Sequence, residues 1–501
     1  MNSKISKFFT RYIWLIPVFC GFVLRLFDLT RSSIWHDEGY TMWLLRYDFA
    51  GIIERTARDV HPPGYYLMAK PWVSIFGNSV FSIRFLSLIF SVGIIFLVYK
   101  IVEKLLNTRA AYWSALFVAF SPFLIRFGQE ARMYGVVAFF TTLATYFFVK
   151  CIKDKDHVNR NLVLFSLSMI VAMYTQYYSF FVIVSLWVIY AIITPEFWQL
   201  HWIRGIKEAK GVFGWKWWLA NVSLLVLYLP WFPVAYKQVT RVGGSYWIKP
   251  EWITLQTIPA NVTQFLSYTH LDYLYSWQGT IGMVAWWLIM LVLIGLGALL
   301  LYKKETRIVG VALYIFGYLP MLLVFIVSKL RTPIYQDRYF PFSAIAIFVI
   351  WGSVVALINS KKLRVAAGTT FLLFMVVGLF IMRYDVNHQM RQVTDEIKSQ
   401  EQPHDVVVSG SLYTFLDGSY YLGYGNIKFV SKPVDGYGET SLFYDQAKDY
   451  IVNPNRLASL GSRVWILGRP GEDYVKSTPL QNWAASTVIQ RGTVRAVLYT
   501  R

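Results

Sequence analysis

Residues 80-VFSIRFLSLIFSVGIIFLVYK-100 carry only Arg84 and Lys100 as charged groups. At about 1.5 Å of rise per helical residue, a run of this length crosses a hydrocarbon core about 30 Å thick. Comparable runs lie at 12–29, 110–127, 133–150, 161–175, 177–194, 217–237, 281–302, 307–328, 338–358 and 364–383, giving about eleven transmembrane helices. Composition agrees: 56% of the 501 residues are hydrophobic and 15% are charged, where soluble domains carry about 25% charged residues. The fold class is a polytopic α-helical membrane protein.

The net charge of +20 would raise nucleic acid as a partner in a soluble chain. Here the basic residues gather in short loops between apolar runs, and there is no nucleic-acid-binding motif; no nucleic-acid partner is expected. With a cytoplasmic N-terminus, segments 1–11, 100–109, 150–160, 195–216, 302–307 and 359–364 face inward and together hold 20 Lys and Arg. The short outer turns after the third and fifth runs hold only Arg132. The positive-inside rule then places the chain in the plasma membrane in that orientation. Lys4, Lys7 and Arg11 before an apolar run resemble a signal peptide, but no small-residue cleavage site follows, so the run reads as an uncleaved first span. Cys20 and Cys151 show neither disulfide nor metal spacing and read as packing residues.

Three segments lie outside in this scheme: 30–79, 238–280 and everything after 385. The tail alternates β-rich runs (406-VVVSG-410, 463-RVWILG-468, 493-TVRAVLYT-500) with helix-like stretches at 389–400 and 438–451, the pattern of a small α/β domain. The expected division is a transmembrane body, 1–385, carrying the outer loop 30–79, and an external C-terminal α/β domain, 386–501. In the loop, 38-EGYTMWLLRYDFAGIIERTAR-58 mixes apolar and charged residues at helical spacing. That predicts one amphipathic helix lying in the interface plane, opened by 35-WHDEGY-40 and closed by 59-DVHPP-63, because proline disfavours helix at the residue before it. The run 64-GYYLMAKPWVSIFG-77 is a candidate for a second such element.

Asp37 and Glu38 admit two readings. Acidic residues in a first helical turn stabilise it by about 0.3–1 kcal/mol; a partly desolvated carboxylate at a membrane surface also suits a general base. His61, held by Pro62 and Pro63, is either part of a rigid turn or a hydrogen-bonding partner for phosphate. In 126-RFGQEARMYG-135, Arg126, Gln129, Glu130 and Arg132 crowd between two apolar runs; they form either an ion pair closing a helical hairpin or an anion site built on the planar guanidinium fork. The turn 335-YQDRYFPF-342 adds Asp337 and Arg338. A carboxylate pair and three arginines on one face suit a lipid-linked phosphosugar. Its polyprenyl tail stays in the bilayer, its phosphate meets the arginines, and displacement at the sugar carbon needs one base and stabilisation of the departing phosphate. One histidine near two carboxylates is a weak metal-ligand set, so no metal is assigned. The rival reading, a secondary transporter or flippase of lipid-linked sugars, calls for charges at midplane on broken helices.

The acidic pair after the first span, DVHPP, QEARMY and DRYFPF together resemble the membrane-embedded GT-C glycosyltransferases, in particular the bacterial members of the protein O-mannosyltransferase and aminoarabinose-transferase group (glycosyltransferase family 39-like). The resemblance covers roughly residues 10–360. It implies a polyprenyl- or dolichyl-phosphate sugar as donor, reaction at the external face and inversion at the anomeric carbon. It further implies Asp37 as catalytic carboxylate with Glu38 as its partner, and His61, Arg126, Arg132 and Arg338 as donor-binding or site-shaping residues. His61 matches the mannosyltransferases, where aminoarabinose transferases carry lysine. The mannosyltransferases continue HPP with Leu-Gly-Lys, whereas Gly64, Tyr65 and Tyr66 follow here. The external β-trefoil of the eukaryotic enzymes is absent, so a protein acceptor gains no support. Sugar and acceptor (glycan, lipid or protein) stay open, and a divalent metal, which some relatives hold, is not supported by the ligand set.

Overall fold

The computed structural model describes residues 12–194, 214–245, 248–267, 279–384, 389–432, 434–472, 475 and 478–501. The basic segment 1–11, most of the inner loop 195–216 and part of the outer segment 238–280 lie outside the described residues. The chain forms two compact units: Met1–Phe27 with Arg84–Tyr384, and Asp28–Ile83 with Asp385–Arg501. The outer loop, grouped with the spans by the sequence, thus packs with the tail.

In chain order the helices are α1 (Leu15–Leu26), α2 (His36–Leu44), α3 (Phe49–Ala57), α4 (Gly64–Phe76), α5 (Val80–Leu105), α6 (Thr108–Phe120), α7 (Pro122–Gly128), α8 (Tyr134–Lys153), α9 (Val158–Thr175), α10 (Ser179–Ile193), α11 (Trp215–Tyr228), α12 (Phe232–Ser245), α13 (Thr257–Ser267), α14 (Gly279–Gly297), α15 (Lys304–Leu330), α16 (Pro341–Leu357), α17 (Lys361–Tyr384), α18 (Met390–Gln400) and α19 (Leu412–Leu422). Among the described residues, α5, α8, α9, α15 and α17 are long and apolar enough to cross a membrane. The pairs α6–α7 and α11–α12, bent by 60° and 74°, qualify as two further broken spans. Shorter apolar helices (α1, α10, α16 and Trp287–Tyr302) occupy the remaining expected runs. The protein is a multi-pass membrane protein, several of whose apolar helices are short or broken.

The break between α6 and α7 follows from Ser121-Pro122: proline has no N–H and cannot continue the helix, while the Ser121 hydroxyl accepts from Leu124 N and starts α7. The last carbonyls of a helix lack intrahelical partners, and in hydrocarbon they must find one. Arg25, wholly buried, supplies it. Its guanidinium donates to Ala119 O at 2.9 Å, to Val118 O at 3.3 Å and, through Nε, to Ser91 Oγ at 2.7 Å. The favour is returned across the same junction: Gln129 Nε2 donates to Arg25 O at 2.8 Å and to Phe27 O at 3.0 Å, satisfying the end of α1. Gly128 makes the approach possible, since a Cβ there would stand 2.3 Å from Ser91 Oγ.

The second unit carries a six-stranded sheet in the order β3-β2-β1-β4-β6-β5, formed by β1 (Val406–Ser409), β2 (Ile427–Val430), β3 (Ile451–Val452), β4 (Arg463–Gly468), β5 (Ala484–Arg491) and β6 (Val494–Thr500). β1 to β4 are parallel neighbours, with α19 the crossover between β1 and β2; β6 runs antiparallel to β4, and β5 to β6. Val408, Leu457, Val464, Ile466 and Leu480 form a core on the sheet. The α/β reading of the tail holds, and the helix expected at 389–400 is α18. The helix expected at 438–451 is instead a series of short turns, Gly438–Leu442, Tyr444–Gln446 and Ala447–Tyr450. Gly436 and Gly438 adopt positive φ there, and the turn leaves Leu442 O free to accept from Arg55 Nε at 3.1 Å and from the Tyr47 hydroxyl.

The single interfacial helix expected over 38–58 is replaced by two. α2 ends at Leu44 and α3 begins at Phe49, where Asp48 caps it by accepting from Gly51 N at 2.8 Å. α2 is an interior helix: all its residues except Asp37 are buried. Trp43 is ringed by Phe415, Tyr424, Phe443 and Tyr450 of the tail, at centroid distances of 4.9–5.7 Å. Its mixed pattern was that of a helix covered by residues distant in sequence.

Replacing Arg25 by Leu strands the Val118 and Ala119 carbonyls, at an expected cost of about 2–4 kcal/mol. Arg25→Lys should recover only part of it, because an ammonium lacks the planar fork. Thermal unfolding in detergent measures both.

Candidate functional site

Candidate site residues occur in each unit. In the second unit, Asp37 and Glu38 fall in the first turn of α2, after Trp35 in extended conformation, and no side chain caps the helix start. The pair is split by environment: Asp37 is partly exposed, whereas Glu38 is fully enclosed. α2 crosses α19 closely, and Gly39 is what allows it: a Cβ there would lie 2.7 Å from Asp417 Oδ1 and 3.1 Å from the Leu416 carbonyl carbon. Asp417 is itself 1% exposed. Burial, then the negative charge of Glu38, hold its carboxyl well above the usual range; Asp37 and Glu439 push the same way, and Arg469 opposes them. His36 adds a further group: its ring lies 3.9 Å from that of Tyr413, and its Nε2 is hydrogen-bonded to Glu439 Oε1. The Arg469 guanidinium stands 4.9 Å from the same Tyr413 ring.

His61 lies half-buried in the link between α3 and α4. α4 starts directly after Pro63, and the ring of its Tyr66 stands 6.0 Å from that of Tyr40 on α2. The helix bearing the acidic pair and the helix after the diproline therefore meet. Among the described residues, no group of three His, Cys, Asp or Glu side chains could hold a metal ion.

In the first unit, Arg126 forms an ion pair with Glu130 at 3.1 Å, one turn along, the hairpin-closing alternative. Gln129 is occupied with the end of α1. Arg132 is 3% exposed. Arg338 sits half-buried in the turn Asp337–Tyr339, where its backbone N–H donates to Asp337 Oδ1 at 2.7 Å and its guanidinium lies 5.7 Å from the Tyr339 ring. The two arginine-bearing turns adjoin through neighbouring rings: Tyr134 and Tyr339 are 6.0 Å apart, and Tyr339 in turn packs on Tyr178 at 4.7 Å.

Residues 60–229 match the family model described as dolichyl-phosphate-mannose-protein mannosyltransferase. The chain aligns with the crystal structure of ArnT from Cupriavidus metallidurans in the apo state, at a TM-score of 0.63 and 12% identity over 97% of each chain. The chain has the GT-C glycosyltransferase fold. The same ArnT bound to undecaprenyl phosphate aligns equally well, covering 97% of this chain and 98% of that one at 12% identity and a TM-score of 0.63. An Archaeoglobus fulgidus oligosaccharyltransferase matches at a TM-score of 0.49 and 14% identity, over 91% of this chain and 67% of its own. No curated protein matches this chain by sequence. At these identities it is the GT-C architecture that is shared.

Sequence reasoning missed Asp417, Glu439 and Arg469. A signal existed for the first: Asp417 is the only charged residue in LYTFLDGSYYL. An acid whose folded pKa is raised adds stability that is full below its unfolded pKa, about 4, and is lost as pH rises through the folded value. Asp417→Asn, the neutral isostere, should therefore flatten the fall of thermal stability with rising pH. Melting curves taken from about pH 5 to 9 should show the variant gaining on wild type toward the alkaline end.

Proposed function

We propose that the protein is an inverting glycosyltransferase that moves a sugar from a polyprenyl-phosphate carrier to an acceptor hydroxyl at the external face of the membrane. The observation that carries this reading is the split acidic pair at the head of α2: one carboxylate accessible, its neighbour enclosed. Asp37 accepts the hydroxyl proton as the acceptor oxygen attacks the anomeric carbon. The bond from that carbon to the phosphate oxygen breaks, and polyprenyl phosphate departs. Arg132 and Arg338 bind the phosphate and stabilise the charge it gains on leaving. His61 contributes a hydrogen bond to the donor. Arg126, paired with Glu130, shapes its turn. Glu38 supports Asp37 from within the unit.

Three facts support this reading. A third of the chain, residues 60–229, matches the family model described as dolichyl-phosphate-mannose-protein mannosyltransferase. A solved neighbour of the same fold binds undecaprenyl phosphate. The Lys- and Arg-rich segments between apolar runs in the sequence support, by the positive-inside rule, the orientation this reading requires.

Asp37→Asn should lower kcat for transfer from a polyprenyl-phosphate sugar by about 10²-fold or more, while donor affinity and melting temperature stay near wild type. Full turnover in that variant would sink the base assignment. Arg132→Ala and Arg338→Ala should each weaken donor binding by roughly tenfold or more, the worth of a charge-assisted hydrogen bond, with acceptor KM little changed. Unaltered donor affinity would remove that arginine from the phosphate site.

A further inference from the structure

The first unit contains a cavity of about 180 Å³ between α5, α8, α10, α15 and α16. It is partly open. Its wall is almost wholly apolar, with Val102, Phe148, Ile189, Ala312 and Val349 among the lining side chains. The polar exceptions are Thr142, Thr145 and Lys153. Both threonine hydroxyls are already spent on their own helix, donating to Ala138 O at 2.6 Å and to Thr141 O at 2.8 Å. A water needs two to four polar partners to remain in a cavity, so this space suits an alkyl chain.

Two observations identify the chain. The first is depth: along α8 the lining runs from Thr142 to Lys153, which at about 1.5 Å per residue spans about 16 Å. That is half of a ~30 Å hydrocarbon core, the reach of one leaflet. The second is charge. Among the described residues, the lining holds a single ionisable group, the exposed Lys153, at its outer rim. Lys104 and Lys150 stand in the last turns of α5 and α8, and Lys304 opens α15. Of the acidic groups nearby, Glu103 is engaged with Lys100 at 3.0 Å, while Asp154 follows Lys153 and Glu305 follows Lys304, so the cationic excess at this end rests on Lys104, Lys150 and Lys153 together. These are the opposite helix ends from those flanked by Arg126, Arg132 and Arg338, which stand before α8 and α16.

We infer that this cavity is a binding site for an anionic glycerophospholipid of the leaflet at the lysine-rich helix ends, with one acyl chain inserted between α8 and α15 and the headgroup phosphate over Lys153. Cationic side chains at the membrane surface attract anionic lipid, and an acyl chain replaces the packing contacts that an empty apolar space forfeits. The site is independent of the proposed transfer reaction, since it shares no residue with it.

The test is lipid retention. The full chain, reconstituted in nanodiscs of equal phosphatidylglycerol and phosphatidylcholine, is released and its bound lipid weighed by native mass spectrometry. Wild type should keep phosphatidylglycerol about fivefold over phosphatidylcholine, the preference one surface lysine confers. Lys153→Gln should bring that ratio close to one, and Ala312→Trp, which fills the cavity, should lose both lipids. Should Ala312→Trp fail to fold, Lys153→Gln, on an exposed side chain, carries the test alone. Equal retention of the two lipids by wild type overturns the proposal. So does retention of added polyprenyl phosphate in place of the phospholipid.

Discussion

A helix broken inside a hydrocarbon layer exposes carbonyls that nothing but protein can satisfy, and much of the membrane unit is arranged around one such break. Ser121-Pro122 ends α6, and the buried Arg25 takes up the carbonyls released there. Gln129, just beyond α7, closes the end of α1 in exchange. Arg25 is expensive to enclose, yet its several donors fit the several acceptors that a helix end presents together. The clasp fixes α1, α5, α6 and α7 against one another. It also sets the starting direction of the turn that carries Glu130 and Arg132.

In the second unit the governing constraint is burial. α2 is too polar to cross a bilayer and too aromatic to stand in water, and the sheet domain resolves this by enclosing it. Enclosure gives the two adjacent carboxylates different fates. Asp37 keeps access to solvent, while Glu38 is shut in near a second carboxyl on α19, which favours a proton on Asp417. Gly39 is the hinge of that arrangement, because any larger residue would hold α2 and α19 apart.

The apolar runs were legible because hydrocarbon imposes a simple requirement on a simple variable, consecutive length without charge. The α/β character of the tail was legible from alternation of short β-rich and helical stretches. What escaped was set by partners far away in sequence. The region 38–58 has the composition of an interfacial helix, and it is distant residues, Phe415, Tyr424, Phe443 and Tyr450 among them, that make α2 an interior one. Arg25 falls inside the first expected run, 12–29, and a sequence does not reveal which carbonyls a break 96 residues later will free. The 126–135 turn offered an ion pair or an anion site, and Arg126 and Glu130 do pair.

The second unit is assembled from 28–83 and 385–501, with all of the membrane body except α1 encoded between them. On a ribosome adding roughly 5–20 residues per second, the tail residues that enclose α2 emerge about 20–80 s after α2 itself. For that interval Trp43 has none of the tail aromatics that surround it in the folded unit. Birth order therefore brings the tail out after the spans of 84–384, and the α2 carboxylates reach their folded environment only once those spans have been made.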